Sequence, residues 1–229
     1  MSYSPPTTLS SLTAHLLSTT HLTRPLSSHA THPSLTHQIS SLLLHPSLEA
    51  ALHILNADLP SAHFLVRHMQ APPAVEGMLL HSISHRCEGD FGNARAWASD
   101  VKDACEGWVP KHRGEKKLND EVSKQILRAA EVDATLVEFV YRGDVEGLGK
   151  IIDDVENFRN RSLKEKSSAS EEAIENRIRE EMERIISWCA QKFGSESWPD
   201  ASTAWVKDSE EIQKVSNNMV SGDGGWRKF

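Results

Sequence analysis

Twice in this chain a helical pattern runs into the same short reversal, Asn56-Ala57-Asp58-Leu59-Pro60-Ser61-Ala62 and then Glu88-Gly89-Asp90-Phe91-Gly92-Asn93-Ala94, with 32 residues between the two aspartates. The small residue before each aspartate permits a sharp turn. The aspartate can cap the next helix through its carboxylate. The alanine four positions later lets two helices approach closely. A unit of this kind is a helical hairpin, and its repetition restricts the chain to packed helix pairs. A third copy, Arg142-Gly143-Asp144-Val145-Glu146-Gly147-Leu148, lies 54 residues beyond the second and lacks the alanine. No alternating strand pattern interrupts the series. The expected fold is all-α, with stacked antiparallel hairpins resembling the tetratricopeptide type over residues 46–155, a long carboxy-terminal helix and a docked tail.

The flanks of this body differ in composition. Residues 1–40 are rich in Ser, Thr, His and Pro, yet Leu9, Leu12, Leu16 and Leu17 keep helical spacing, so a partly helical leader is expected. His32-Pro33-Ser34-Leu35 recurs as His45-Pro46-Ser47-Leu48. Proline suits a first helical turn, where its missing N–H has no partner to lose. The hairpin body is placed at 41–160. Residues 161–229 are read as part of the same domain. There Ser168 and Glu171 form a capping box ahead of an apolar stripe of Ile174, Ile178, Ile185 and Trp188, and the helix stops near Gly194. Trp198, Trp205 and the closing Gly224-Gly225-Trp226-Arg227-Lys228-Phe229 are expected to fold back on the body.

Charge and cysteine usage exclude several classes. A net charge of −7 argues against nucleic acid, and the longest basic island, around Lys111 to Lys117, is broken by Glu115. No apolar run reaches the roughly 20 residues needed to span a bilayer, and the start of the chain lacks a secretory pattern. Cys87, Cys105 and Cys189 are far apart with no C-x-x-C pair, which points to reduced thiols and a cytoplasmic setting. Cys87 lies on an apolar helix side, the place of a buried thiol. No phosphate loop, dinucleotide fingerprint or nucleophile elbow is present.

Aligning the two turns on Asp58 and Asp90 makes His53 equivalent to His85, Glu49 to His81, and Asn56 to Glu88. Each set has i, i+4, i+7 spacing and so occupies one helical stripe. If equivalent helices lie side by side at about 8–10 Å, these six residues converge, with His63 and Arg86 nearby. His53, His81 and His85 are then candidate ligands for a divalent metal such as zinc. Glu49, Glu88 and His85 are candidate acid–base groups. Two functions follow. One is a helical-repeat protein holding a peptide or small molecule in a His/Glu-lined groove, contacted by Asn56, His63, Arg86 and Asn93. The other is a metal-dependent hydrolase or lyase built on the same cluster. Phe64 and Trp97 are expected in the core, and Arg86 with Glu88 as a surface pair.

The block His45–Val101 resembles a family of uncharacterised fungal proteins with bacterial relatives, whose pattern reads approximately H-x-x-x-H-R-x-E-x-D-x-x-N-A-x-x-W. The matching positions are His81, His85, Arg86, Glu88, Asp90, Asn93, Ala94 and Trp97. The resemblance implies an all-helical fold and a filamentous-fungus source, and supplies no catalytic role. Ala96 stands where the relatives usually carry another aromatic residue.

Overall fold

The computed structural model describes residues 7–127, 134–162 and 166–206. Among them are ten α-helices: α1 (Leu9–Thr19), α2 (Pro33–Ser41), α3 (Pro46–Leu55), α4 (Leu59–Val66), α5 (Val75–Glu88), α6 (Phe91–Cys105), α7 (Asp120–Leu127), α8 (Leu136–Val140), α9 (Gly147–Asn160) and α10 (Ser168–Phe193). The described residues contain no strand, only an isolated bridge between Trp108 and Lys117. No helix among them is long and apolar enough to cross a membrane.

Local chemistry sets the helix starts. α2 and α3 begin at Pro33 and Pro46, as the repeated His-Pro-Ser-Leu predicts. The cap of α10 is one residue earlier than expected: the Ser167 hydroxyl, not Ser168, accepts the Ser170 N–H at 3.2 Å.

The first two reversals are the same structure. Ala57 and Gly89 both take the left-handed conformation, at φ 54° and 87°. Asp58 and Asp90 follow with φ/ψ of −87°/69° and −86°/71°. The aspartate N–H donates to the carbonyl five residues back, His53 in one case and His85 in the other, at 2.9 Å each. Each aspartate carboxylate then accepts an N–H of the next helix, from Ser61 at 3.4 Å and Asn93 at 3.2 Å. The third turn departs from this. There Gly143 occupies the aspartate's place, donating to the Glu138 carbonyl at 2.8 Å, and two successive residues are left-handed, Arg142 at φ 54° and Gly143 at φ 82°. Asp144 falls one position late, so the shared turn covers α3–α4 and α5–α6 alone.

α5 is buried along most of its length and packs between α3, α4 and α6. α10 packs on α3, α8 and α9. One hydrophobic cluster runs from Leu12 of the leader to Cys189 of α10. The leader is bonded to this body: the Glu175 carboxylate of α10 accepts the N–H groups of Leu22 and Thr23 at 3.2 and 2.6 Å. At the other end, the Trp198 N–H donates to the Leu43 carbonyl at 2.5 Å and the Val206 N–H to the His68 carbonyl at 2.9 Å. The tail is therefore docked as far as Val206, and the closing Gly224–Phe229 segment lies outside the described residues. The basic island is neutralised locally, with Lys111 3.6 Å from Asp100 and Arg113 3.0 Å from Asp103.

Candidate metal centre

The identical turns place His53 and His85 in identical backbone positions, and in each case the imidazole Nδ1 faces the capping aspartate. The distances are 3.3 Å from His53 to Asp58 and 3.8 Å from His85 to Asp90. Beyond this, the two histidines have different surroundings.

His53 is 1% exposed. Its Nε2 lies 3.6 Å from the Glu49 carboxylate and 3.4 Å from the Ser40 hydroxyl of α2. Thr36, also on α2, donates to Asp58 at 2.9 Å. The order Ser40–His53–Asp58 has the connectivity of a hydrolytic triad. However, the Nδ1–Asp58 contact is not an aligned hydrogen bond, and Ser40 already donates to the Thr36 carbonyl at 3.3 Å. These groups tie α2 to the first hairpin. Asn56 does the same for the leader: its Oδ1 accepts the His32 N–H at 3.0 Å and its Nδ2 donates to the His32 carbonyl at 3.1 Å.

His85 remains partly open, and its neighbour is His63 of α4 rather than His53. Glu88 lies between the two, 3.0 Å from His63 Nε2 and 3.2 Å from His85 Nδ1. Neither nitrogen makes an aligned hydrogen bond to it. Among the described residues, His63, His85 and Glu88 form the group whose donor atoms, one from each residue, all lie within 4.8 Å of one another. His81 backs the cluster. Its ring stacks on His85 at 4.9 Å and on Trp97 at 4.3 Å, and meets His63 edge-on at 5.2 Å. His81 is 5% exposed and its Nδ1 has no hydrogen-bond partner.

The electrostatics suit a cation. Burial pushes the Glu88 carboxyl up, but His63 and His85 outweigh it and hold the group at about 2, so it is ionised at neutral pH. Burial, then the neighbouring charges of His85 and His63, lower His81 to about 3, leaving it a neutral wall. Cys87, on the far side of α5, is pushed up to about 11 by burial despite Arg86 and Arg159, and stays a thiol.

Several expected members thus stand elsewhere. His53, Glu49 and Asn56 belong to the closed knot under α2, because the leader covers the first hairpin. His81 is a packing partner outside the donor set. Arg86, expected at the surface with Glu88, is 1% exposed and points into the core. Its guanidinium forks onto Glu181, with one bond of 3.0 Å, and Tyr141 donates to the same carboxylate at 2.6 Å. Burial opposes the Arg86 charge, but Glu181 outweighs that and raises its pKa. Asn93 is exposed and its amide donates to Asp90 at 2.7 Å. Phe64, expected in the core, is 59% exposed, because it follows His63 onto the solvent side of the short α4. Trp97 is half-buried against His81.

Comparison with protein-family models, curated proteins and solved structures finds no match to this chain. The geometry itself defines the class: an all-α protein with a partly open His/His/Glu cluster at a helical reversal.

Proposed function

We propose that this protein binds a divalent metal ion, zinc foremost, through His63, His85 and Glu88. The observation that carries this reading is the placement of two imidazole nitrogens 3.0 and 3.2 Å from the two oxygens of one ionised carboxylate. Zinc bonds of about 2.0–2.1 Å in a tetrahedron set neighbouring ligand atoms about 3.3 Å apart. The three side chains therefore need only small rotations to share one ion. Binding also replaces the bent His–Glu contacts by bonds that use the ring nitrogens fully.

The same geometry favours an ion that keeps a solvent ligand. The Glu88 side chain is 38% exposed, while His63 and His85 are 19% and 16% exposed. Two histidines, one glutamate and a water form a ligand set suited to metal-assisted hydrolysis. In that second reading Glu88 is a ligand rather than a base, and Asp90, 47% exposed beside His85, is the carboxylate on the open side.

The test is metal retention by untagged full-length protein after dialysis against micromolar zinc. The expected result is one equivalent in the wild type and at least a hundredfold weaker binding in Glu88→Gln and His63→Ala. Absence of retained zinc, or equal retention in both variants, removes the reading.

A further inference from the structure

A cavity of about 580 Å³ opens between the start of α3, the start of α5, the end of α10 and the tail, lined by none of the proposed metal ligands. It falls in the size range of small-molecule sites, about 300–1,000 Å³. Part of its wall is aromatic. His45 and Phe193 are stacked face to face, with centroids 3.6 Å apart and planes 4° from parallel, and Trp198 meets His45 edge-on at 4.8 Å. Trp205 stacks on His68 at 4.2 Å and is still 40% exposed. The same indole lines the cavity.

The tail holds this wall in place from both ends, through the Trp198 and Val206 backbone bonds. It also closes on itself, with the Trp198 indole N–H donating to Thr203 at 2.8 Å. The polar part of the cavity is already balanced. Glu76, 1% exposed, accepts from Lys192 at 2.7 Å and from the Trp188 indole at 2.8 Å. An anionic ligand would compete with Glu76 for Lys192, and a cationic one would compete with Lys192 for Glu76. Either exchange leaves a buried charge unpaired, which is strongly unfavourable. His45 accepts the Ser47 N–H at 3.2 Å through Nδ1, so its neutral ring carries the proton on Nε2 and presents a donor.

We propose that this cavity is a binding site for an uncharged, planar aromatic small molecule, received against the part-exposed Trp205 ring and beside the packed His45–Phe193–Trp198 cluster. The probe is N-phenyl-1-naphthylamine, a neutral ring compound that becomes fluorescent in apolar sites, titrated into the full-length protein. The expected result is saturable one-to-one binding with energy transfer from tryptophan. Affinity should fall at least tenfold in Ala204→Trp, which fills the cavity, and in Trp205→Ala, which removes a wall. The anionic analogue 1-anilinonaphthalene-8-sulfonate should bind at least tenfold more weakly. Non-saturable binding, affinity unchanged in the variants, or equal affinity for the sulfonate would each overturn the proposal. If Ala204→Trp does not fold, Trp205→Ala decides alone, since its ring is partly exposed and outside the core. His63→Ala should leave probe binding unchanged, which separates this site from the metal site.

Discussion

The two hairpins share one turn, down to the dihedral angles of their aspartates, and use it in opposite ways. In the first, the histidine before the turn is sealed under α2, with Asp58 bonded to Thr36 and Asn56 to His32 of the leader. In the second, the equivalent histidine looks across α4 to His63, and the carboxylate between them stays within reach of solvent. Within a module of this kind the backbone decides where the imidazole stands, and the covering segment decides what it does. A buried histidine with fixed partners is structural, whereas a half-open one beside an ionised carboxylate can coordinate an ion.

This comparison can be broken at several points. The largest effect is expected at Arg86, next to His85 in sequence but on the buried side of α5. Arg86→Ala leaves the Glu181 carboxylate buried and unpaired, so urea unfolding should show a loss of about 3–5 kcal/mol. A loss below about 1 kcal/mol would return Arg86 to the surface role first expected of it.

Asn56 and Glu88 hold equivalent positions, and the comparison predicts unequal stability costs. Asn56→Ala strips both bonds from His32 and should cost about 1–3 kcal/mol. Glu88→Ala in metal-free protein should cost less, about 1 kcal/mol or below, because its contacts with His63 and His85 are screened by solvent at a 38% exposed side chain. Equal losses in denaturant would erase the distinction between a closed and an open site.

His45 extends the contrast to a third histidine, covered by Phe193 and Trp198. Burial, and then the Lys192 charge, lower it to about 4, so the folded protein keeps it neutral where the unfolded chain, near 6.5, takes up a proton. Its contribution is complete above pH 6.5 and declines as pH falls from there to about 4, by about 1.4 kcal/mol per pH unit. His45→Phe retains a stacking ring and removes the proton. The stability difference between the two proteins should therefore tilt with pH in favour of the variant under acid. A difference that does not change between pH 7 and pH 5 would contradict the assignment.

How much of this was legible in the sequence follows the same division. The shared turn is local chemistry, written in Ala57-Asp58 and Gly89-Asp90, and the equivalence of His53 and His85 holds at the level of hydrogen bonds. The third turn misled because Arg142-Gly143-Asp144 resembles the motif by composition, while Arg142 and Gly143 are both left-handed and the bond that closes the turn comes from Gly143, one position ahead of the aspartate. The covering of the first hairpin could not be read from spacing: it depends on Asn56 reaching His32, and His53 reaching Ser40, across a leader whose composition suggests disorder. His63 entered the cluster in place of His53 because α4 packs on α5, a tertiary choice that periodicity within one helix does not encode. The aromatic cavity is assembled from segments between His45 and Val206 and had no signal in any single stretch, although Trp198 and Trp205 marked the tail as a segment that gains from docking.

The central claim is that equivalent histidines in identical turns have different roles, and cobalt(II) titration followed by visible absorption tests it most directly. The wild type and His53→Ala should both develop the ligand-field bands of one bound ion, with His53→Ala less stable but equally competent. His85→Ala should be as stable as the wild type to within about 1 kcal/mol, typical of a partly exposed position, and should show no bands. Bands that vanish in His53→Ala and persist in His85→Ala would contradict the account.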